Sequence, residues 1–298
     1  MYLNTLEVTL TPRVASDSYN LQLNQTALDI LALIFEFKVV TAWQIARFLT
    51  QKDQSKYLYL KLRRMWQAGL LESFKVYAGS RAGVPVYYML SKSGLKVLSH
   101  QGRYGPETIR NYPQAKTLFS LNIFRHEAQV VELASQEVKN GSTNFDISFM
   151  GELGSLVRDA RSDKSIEVFT PDYTAFYRVG RTKECIYTEF ERTNKSVMAM
   201  NRKLERYIRF LDPSTRERTT LRFIFQTPSM EQSFWLHLLM NQSHILQKLR
   251  LLTTNLLLID SHQQFLEPIY VSGQTVKLTK QGSVGVDLTS RTKLFSFL

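Results

Sequence analysis

The sequence predicts an α+β / α/β chain in two parts. Three short helices and a two-stranded hairpin come first, and an α/β sandwich around a mixed central sheet follows. Three observations carry this expectation. Apolar residues recur at helical spacing over residues 28–35, 45–49 and 58–65, and two strand-like segments follow Gly69. A stretch between Ser99 and Lys116 breaks all periodicity, with Gly102, Gly105-Pro106 and Asn111-Tyr112-Pro113. Beyond it the order runs helix, strands, helix, strand, helix, strand. A length of 298 residues suits two ordinary domains, and 44% hydrophobic content supports packed cores. The expected division is residues 1–100, a linker over 101–116, and residues 117–298.

In the first domain Asn24 caps a helix whose apolar stripe includes Leu28, Ile30, Leu31, Ile34 and Phe35. Thr41 caps a second helix carrying Ile45, Phe48 and Leu49. Asp53 or Ser55 starts a third, in which Leu58, Leu62 and Met65 step by four and three before Gly69 stops it. Residues 71–77 and 84–90 then read as strands around the tip at residues 78–83. Three helices and a hairpin in this order make a winged helix-turn-helix, with the third helix as reader of double-stranded DNA. Its apolar stripe leaves Ser55, Lys56, Tyr59 and Arg63 on the other face, with Arg64 beside them and Arg81 at the wing tip. Arg forks onto guanine or phosphate, Lys neutralises phosphate, and the hydroxyls reach backbone oxygens. A solvated basic face used for protein contacts is the competing reading.

The second domain opens with a helix over residues 117–138, with Phe119, Ile123, Val130 and Ala134 on one face. Glu127 falls on that same face, so it needs either a polar cleft or a cation, His126 being the nearest in sequence. Strands are expected over residues 144–149, 155–159, 166–169, 172–178 and 184–190. A helix over 196–211, a strand over 220–226, a helix over 230–249 and a strand over 256–259 complete the order. Adjacent strands ending at one edge bring Asp172 near Glu189, and Glu191 shares the face of Glu189. Such an oxygen-rich set suits Mg²⁺, with Glu127 as a further acid. The plain alternative is a turn aspartate and two surface glutamates paired with Arg192 or Lys195.

The motifs Pro171-Asp172 and Glu189-Phe190-Glu191 resemble those of the PD-(D/E)XK nuclease superfamily. That superfamily places an acid, one residue and a lysine on the second strand, and here Glu191 stands where the lysine belongs. Some members take the lysine from the following helix. There Lys203 borders a stripe formed by Val197, Met200, Leu204, Tyr207 and Leu211, while Lys195, Arg202 and Arg206 are expected to point away. The resemblance implies a catalytic set of Asp172, Glu189, Glu191 and Lys203 if the site is active, and a degenerate nuclease-like domain if it is not. Over residues 20–215 the chain is similar to the replication-relaxation family of plasmids and mobile elements. The similarity runs through Leu62-Arg63-Arg64-Met65, Ala68-Gly69-Leu70-Leu71, Ser93-Gly94, His126, the acid motifs, and Lys203-Leu204 with Tyr207. It implies a role in plasmid replication or in the topological state of plasmid DNA, alongside replication or mobilisation proteins.

Composition narrows the alternatives. A net charge of +12 favours a polyanionic partner, nucleic acid before membrane. Residues 1–118 hold 15 Lys+Arg against 7 Asp+Glu, and residues 119–298 hold 23 against 19, so the smaller part carries the greater excess. The single cysteine, Cys185, excludes an internal disulfide, and no histidine pair has zinc spacing. No secretory signal or membrane span is visible, and a cytoplasmic protein is expected. Two functions compete with DNA binding in replication. One is a Mg²⁺-dependent endonuclease or nickase using Asp172, Glu189 and Lys203; the other is a homodimeric transcriptional regulator.

Overall fold

The computed structural model describes residues 7–10, 23–77, 84–118, 120–141, 146–154, 170–179, 182–211, 219–262, 271–272, 277–281 and 283–288. The protein is mixed α+β and divides into two compact units. One comprises residues 1–139 with 151–154, the other residues 140–150 with 155–298. The division thus falls near the end of the long helix rather than over residues 101–116.

In the first unit each helix starts where a side chain satisfies its orphan amides. Asn24 Oδ1 accepts from Ala27 N (3.1 Å) at α1, Gln25–Phe37. Thr41 and Gln44 form a reciprocal capping box on α2, Ala42–Thr50. Ser55 Oγ accepts from Leu58 N at α3, Lys56–Gln67. Gly69, with φ of 79°, takes the left-handed conformation that stops α3. A four-stranded antiparallel sheet in the order β1-β3-β4-β2 joins β1 (Glu7–Leu10), β2 (Val40–Thr41), β3 (Leu71–Tyr77) and β4 (Val86–Leu90). The sequence pattern anticipates β3 and β4. It does not anticipate β1 or the two-residue β2, which are too short to show a period.

Ser91 caps α4 (Lys92–His100) through Gly94 N and donates back to the Gly69 carbonyl at 2.5 Å. A Cβ at Gly94 would lie 2.3 Å from the Leu70 carbonyl oxygen, so this close approach requires glycine. The expected linker instead holds α5 (Pro106–Arg110), and α6 (Ala115–Leu118) overlaps its end. It also holds the buried Tyr112, whose hydroxyl donates to the Lys38 carbonyl (2.9 Å) and accepts from Leu90 N (2.8 Å). Helix α7 runs Leu121–Gly141. Val130 and Ala134 are buried as expected, whereas Ile123 is exposed.

The second unit is built on a six-stranded mixed sheet in the order β10-β9-β8-β7-β6-β5. Its strands are β5 (Asp146–Gly151), β6 (Tyr173–Val179), β7 (Thr182–Glu191), β8 (Thr219–Phe225), β9 (Arg250–Asn255) and β10 (Val271–Ser272). Strands β7, β8 and β9 are parallel neighbours, while β6 and β10 run antiparallel to theirs. Every residue of β8 is buried, as expected for a parallel strand covered on both faces. Helix α8 (Val197–Phe210) connects β7 to β8, and α9 (Pro228–Asn241) leads from β8 toward β9. Met200, Leu204 and Tyr207 of α8 pack with Phe223 and Phe225 of β8 and Trp235 of α9 in one core. Val197, expected in that stripe, is exposed at the first turn.

Two expected elements change. The helix expected over 230–249 ends at Asn241, and a 3-10 turn over Ser243–Gln247 follows. The strand expected over 256–259 is instead α10 (Leu256–His262), with the strand just before it. Thr253 and Thr254 look like interruptions of an apolar run, yet as β-branched residues they suit the strand interior. Asn255 Oδ1 then accepts from Leu258 N and starts the helix. A final hairpin joins β11 (Lys277–Gln281) and β12 (Ser283–Asp287). The strands expected over 155–159 and 166–169 lie outside the described residues. Among the described residues, no helix is long and apolar enough to cross a membrane.

Candidate functional site

On α3 the three positions that point inward, Leu58, Leu62 and Met65, are essentially inaccessible. Helical phase then turns Lys56, Tyr59, Arg63 and Arg64 to solvent, with Ser55 half-buried at the cap. Tyr57 and Leu60 are exposed beside them, at 56% and 49%. The sequence reading omits these two, since an exposed Leu or Tyr carries no periodic signal that separates it from core. Arg81, expected at the wing tip, lies outside the described residues.

The second candidate is the acid motif, where β6 enters the sheet and β7 ends. Asp172 immediately precedes β6, and its Oδ2 accepts from Phe190 N at 2.6 Å, which fastens the two strands at this edge. Glu189 and Glu191 alternate with Phe190, so both carboxylates project to one face of β7. Both are buried, Glu191 to 1% exposure. Helix α8, capped by Ser196 Oγ on Ala199 N, passes over that face and delivers Lys203 between them. Lys203 Nζ donates to Glu189 Oε2 at 2.5 Å and to Glu191 Oε1 at 2.7 Å, and lies 5.9 Å from the centre of the Phe223 ring. One turn further along α8, the Tyr207 hydroxyl donates to Glu189 Oε1 at 2.5 Å. Lys195, expected to point away, instead bonds Glu191 from the loop before the helix, at 2.9 Å to Oε1 and 2.8 Å to Oε2.

The electrostatics follow from crowding. Burial draws the Lys203 ammonium downward, but Glu189, Glu191 and Asp172 outweigh it and hold the group above its ordinary range. Burial pushes the Glu189 carboxyl up to about 7, against the lowering by Lys203; the neighbouring charge of Asp172 adds to the rise, and the hydrogen bonds from Lys203 and Tyr207 oppose it. Burial and the Glu189 charge raise the Tyr207 phenol well above its ordinary value.

A divalent ion would need carboxylate oxygens that face an open position. Here Tyr207 and Lys203 take the two oxygens of Glu189, and Lys203 and Lys195 take those of Glu191. Among the described residues no three His, Cys, Asp or Glu side chains converge to hold a metal. The donor set as arranged does not fit resident Mg²⁺. Glu127, the expected further acid, lies in the first unit. There its Oε1 accepts from Lys38 Nζ at 2.6 Å, and Lys38 also pairs with Glu152. Its hydrogen-bonded cation is Lys38, and the charge of the sequence neighbour His126 acts on it more weakly.

Sequence reasoning located Asp172, Glu189, Glu191 and Lys203, and the structure brings them together. The pairing of Glu191 with Lys195, expected only if both glutamates lay on the surface, is present although both are buried. Sequence reasoning counted Tyr207 only as core, although the stripe position puts its hydroxyl on Glu189.

A family model described as replication-relaxation matches residues 31–224, a span that includes α3, both acid motifs and Lys203. No curated protein and no solved structure matches the chain. Since the match covers well over half of the 298 residues, the protein belongs to the replication-relaxation family.

Proposed function

We propose that the protein binds duplex DNA through α3 and acts in the replication or relaxation of plasmid or mobile-element DNA. The observation that carries this reading is the division of α3 into a sealed apolar face and an exposed face with Lys56, Tyr59, Arg63 and Arg64. The order α1, β2, α2, α3, β3, β4, with β2 paired to β4, supports a winged helix-turn-helix. The excess of basic over acidic residues in this part of the chain supports a phosphate partner. The test is binding of duplex DNA by the wild type and by Lys56→Ala with Arg63→Ala. Weakened binding by a folded variant is expected, and undiminished binding would remove α3 as the reader.

The second unit supports a nuclease-like sheet that has become a structural or DNA-contacting surface. Its supporting features are the neighbouring strands β5, β6 and β7, the connecting helix α8 and the parallel strand β8, with acids at the edge. The rival reading is a Mg²⁺-dependent endonuclease or nickase using Asp172, Glu189 and Lys203. It is favoured by one observation, the delivery of Lys203 from α8 onto Glu189. Incubating supercoiled plasmid with Mg²⁺ or Mn²⁺ separates the two. Nicking that disappears in Asp172→Ala would establish the enzyme, and intact plasmid under both metals is the outcome expected here.

A further inference from the structure

Two carboxylates two residues apart on a strand lie on one face, their Cα atoms roughly 7 Å apart. Buried without a cation between them, Glu189 and Glu191 would repel each other at high cost. We propose that Lys203 is a built-in counter-cation at the position where these two acids would otherwise hold a divalent ion, so that the protein closes this sheet edge without metal. The geometry supports the assignment. One ammonium meets both carboxylates, at 2.5 Å and 2.7 Å, and its approach is fixed by the helix that carries it. Lys203 borders the stripe of Met200, Leu204 and Tyr207 on α8, all three buried in the core. Phe223, paired with Glu189 in the sheet register, lies near the charge. The remaining oxygen of Glu189 is held by Tyr207, and Lys195 closes Glu191 from outside. A divalent ion at this point would need carboxylate oxygens of Glu189 and Glu191 left open to it. Here both acids are spent on the lysines and the tyrosine.

The inference does not rest on DNA binding, and neither does its test. Thermal melts of wild type, Lys203→Met, Lys203→Arg and Lys203→Met with Asp172→Asn would be recorded with and without millimolar MgCl₂ or MnCl₂, at matched ionic strength. Mn²⁺ binding would be followed in parallel by electron paramagnetic resonance. Wild type and Lys203→Arg are expected to bind no Mn²⁺ and to melt alike in either salt. Lys203→Met should melt lower by roughly 5–15 °C, the loss expected from breaking a buried pair. Mn²⁺ should restore part of that loss, since the ion is commonly held by one or two carboxylates and water. Removing the Asp172 charge should weaken the restoration. Stoichiometric Mn²⁺ binding by the wild type would overturn the proposal. So would a Lys203→Met protein that melts like wild type, or one that Mn²⁺ does not rescue. If Lys203→Met fails to fold, wild type and Lys203→Arg decide: Mn²⁺ binding by either overturns it, and binding by neither supports it.

Discussion

Removing two cations from α3 should change how DNA binding responds to salt, by an amount the structure sets. Lys56, Arg63 and Arg64 are the exposed basic residues of that helix, while Lys61 is buried. Each phosphate neutralised contributes about −0.9 to the slope of log affinity against log salt, so three contribute about −2.7. A fourfold rise in salt then costs about 40-fold in affinity from this helix alone. In Lys56→Ala with Arg63→Ala one contact remains. The slope should become shallower by about 1.8, and the same rise in salt should cost this helix only about 3-fold. Both side chains are exposed, so stability should stay within about 0.5 kcal/mol of wild type. The assay is fluorescence anisotropy of a labelled duplex across a salt series, with a thermal melt of each protein. Leu62→Ala is the contrasting variant. Its side chain is fully buried, and truncation should cost about 2–5 kcal/mol, so any loss of binding comes with a lower melting temperature. A double variant that keeps the wild-type slope would refute the assignment of α3.

Three further outcomes follow from buried groups. Lys38→Met strands Glu127, and because Glu152 is partly exposed the loss should lie near the lower end, about 3 kcal/mol by denaturant unfolding; an unchanged midpoint would show that the pair carries no weight. Glu189 has a raised folded pKa, from 4.5 to about 7, so its contribution to stability is full below 4.5 and is lost as pH rises through about 7. Glu189→Gln should flatten the stability–pH profile in that window, and Asp172→Asn should move the Glu189 midpoint downward by NMR titration; a Glu189 midpoint at the ordinary value would contradict the burial argument. Gly94→Ala places a methyl 2.3 Å from the Leu70 carbonyl and should destabilise by about 1–3 kcal/mol, whereas a neutral effect would mean that α4 shifts freely.

Much of the fold is legible in local pattern because local pattern causes it. Asn24, Thr41 and Ser55 each sit three residues before an amide that needs an acceptor, and each starts a helix in the structure. Leu58, Leu62 and Met65 repeat with the helical period, and all three are buried. Pattern fails where a segment is too short for a period, as in β2. It fails also where a cap overrides an apolar run, as Asn255 does at the start of α10.

The sequence by itself determined which residues carry charge, which faces of α3, α8 and β7 they occupy, and that Asp172, Glu189, Glu191 and Lys203 share one region of chain. Only the tertiary structure decided how those charges are spent. Glu127 meets Lys38 from 89 residues away, and Lys203 meets two acids at once while Tyr207 and Lys195 take their remaining oxygens. The physical reason is range. Helical and strand periods fix the direction of a side chain within a few residues. The partner it reaches depends on the order of strands in the sheet and on the helix laid across them, and neither is written in the period.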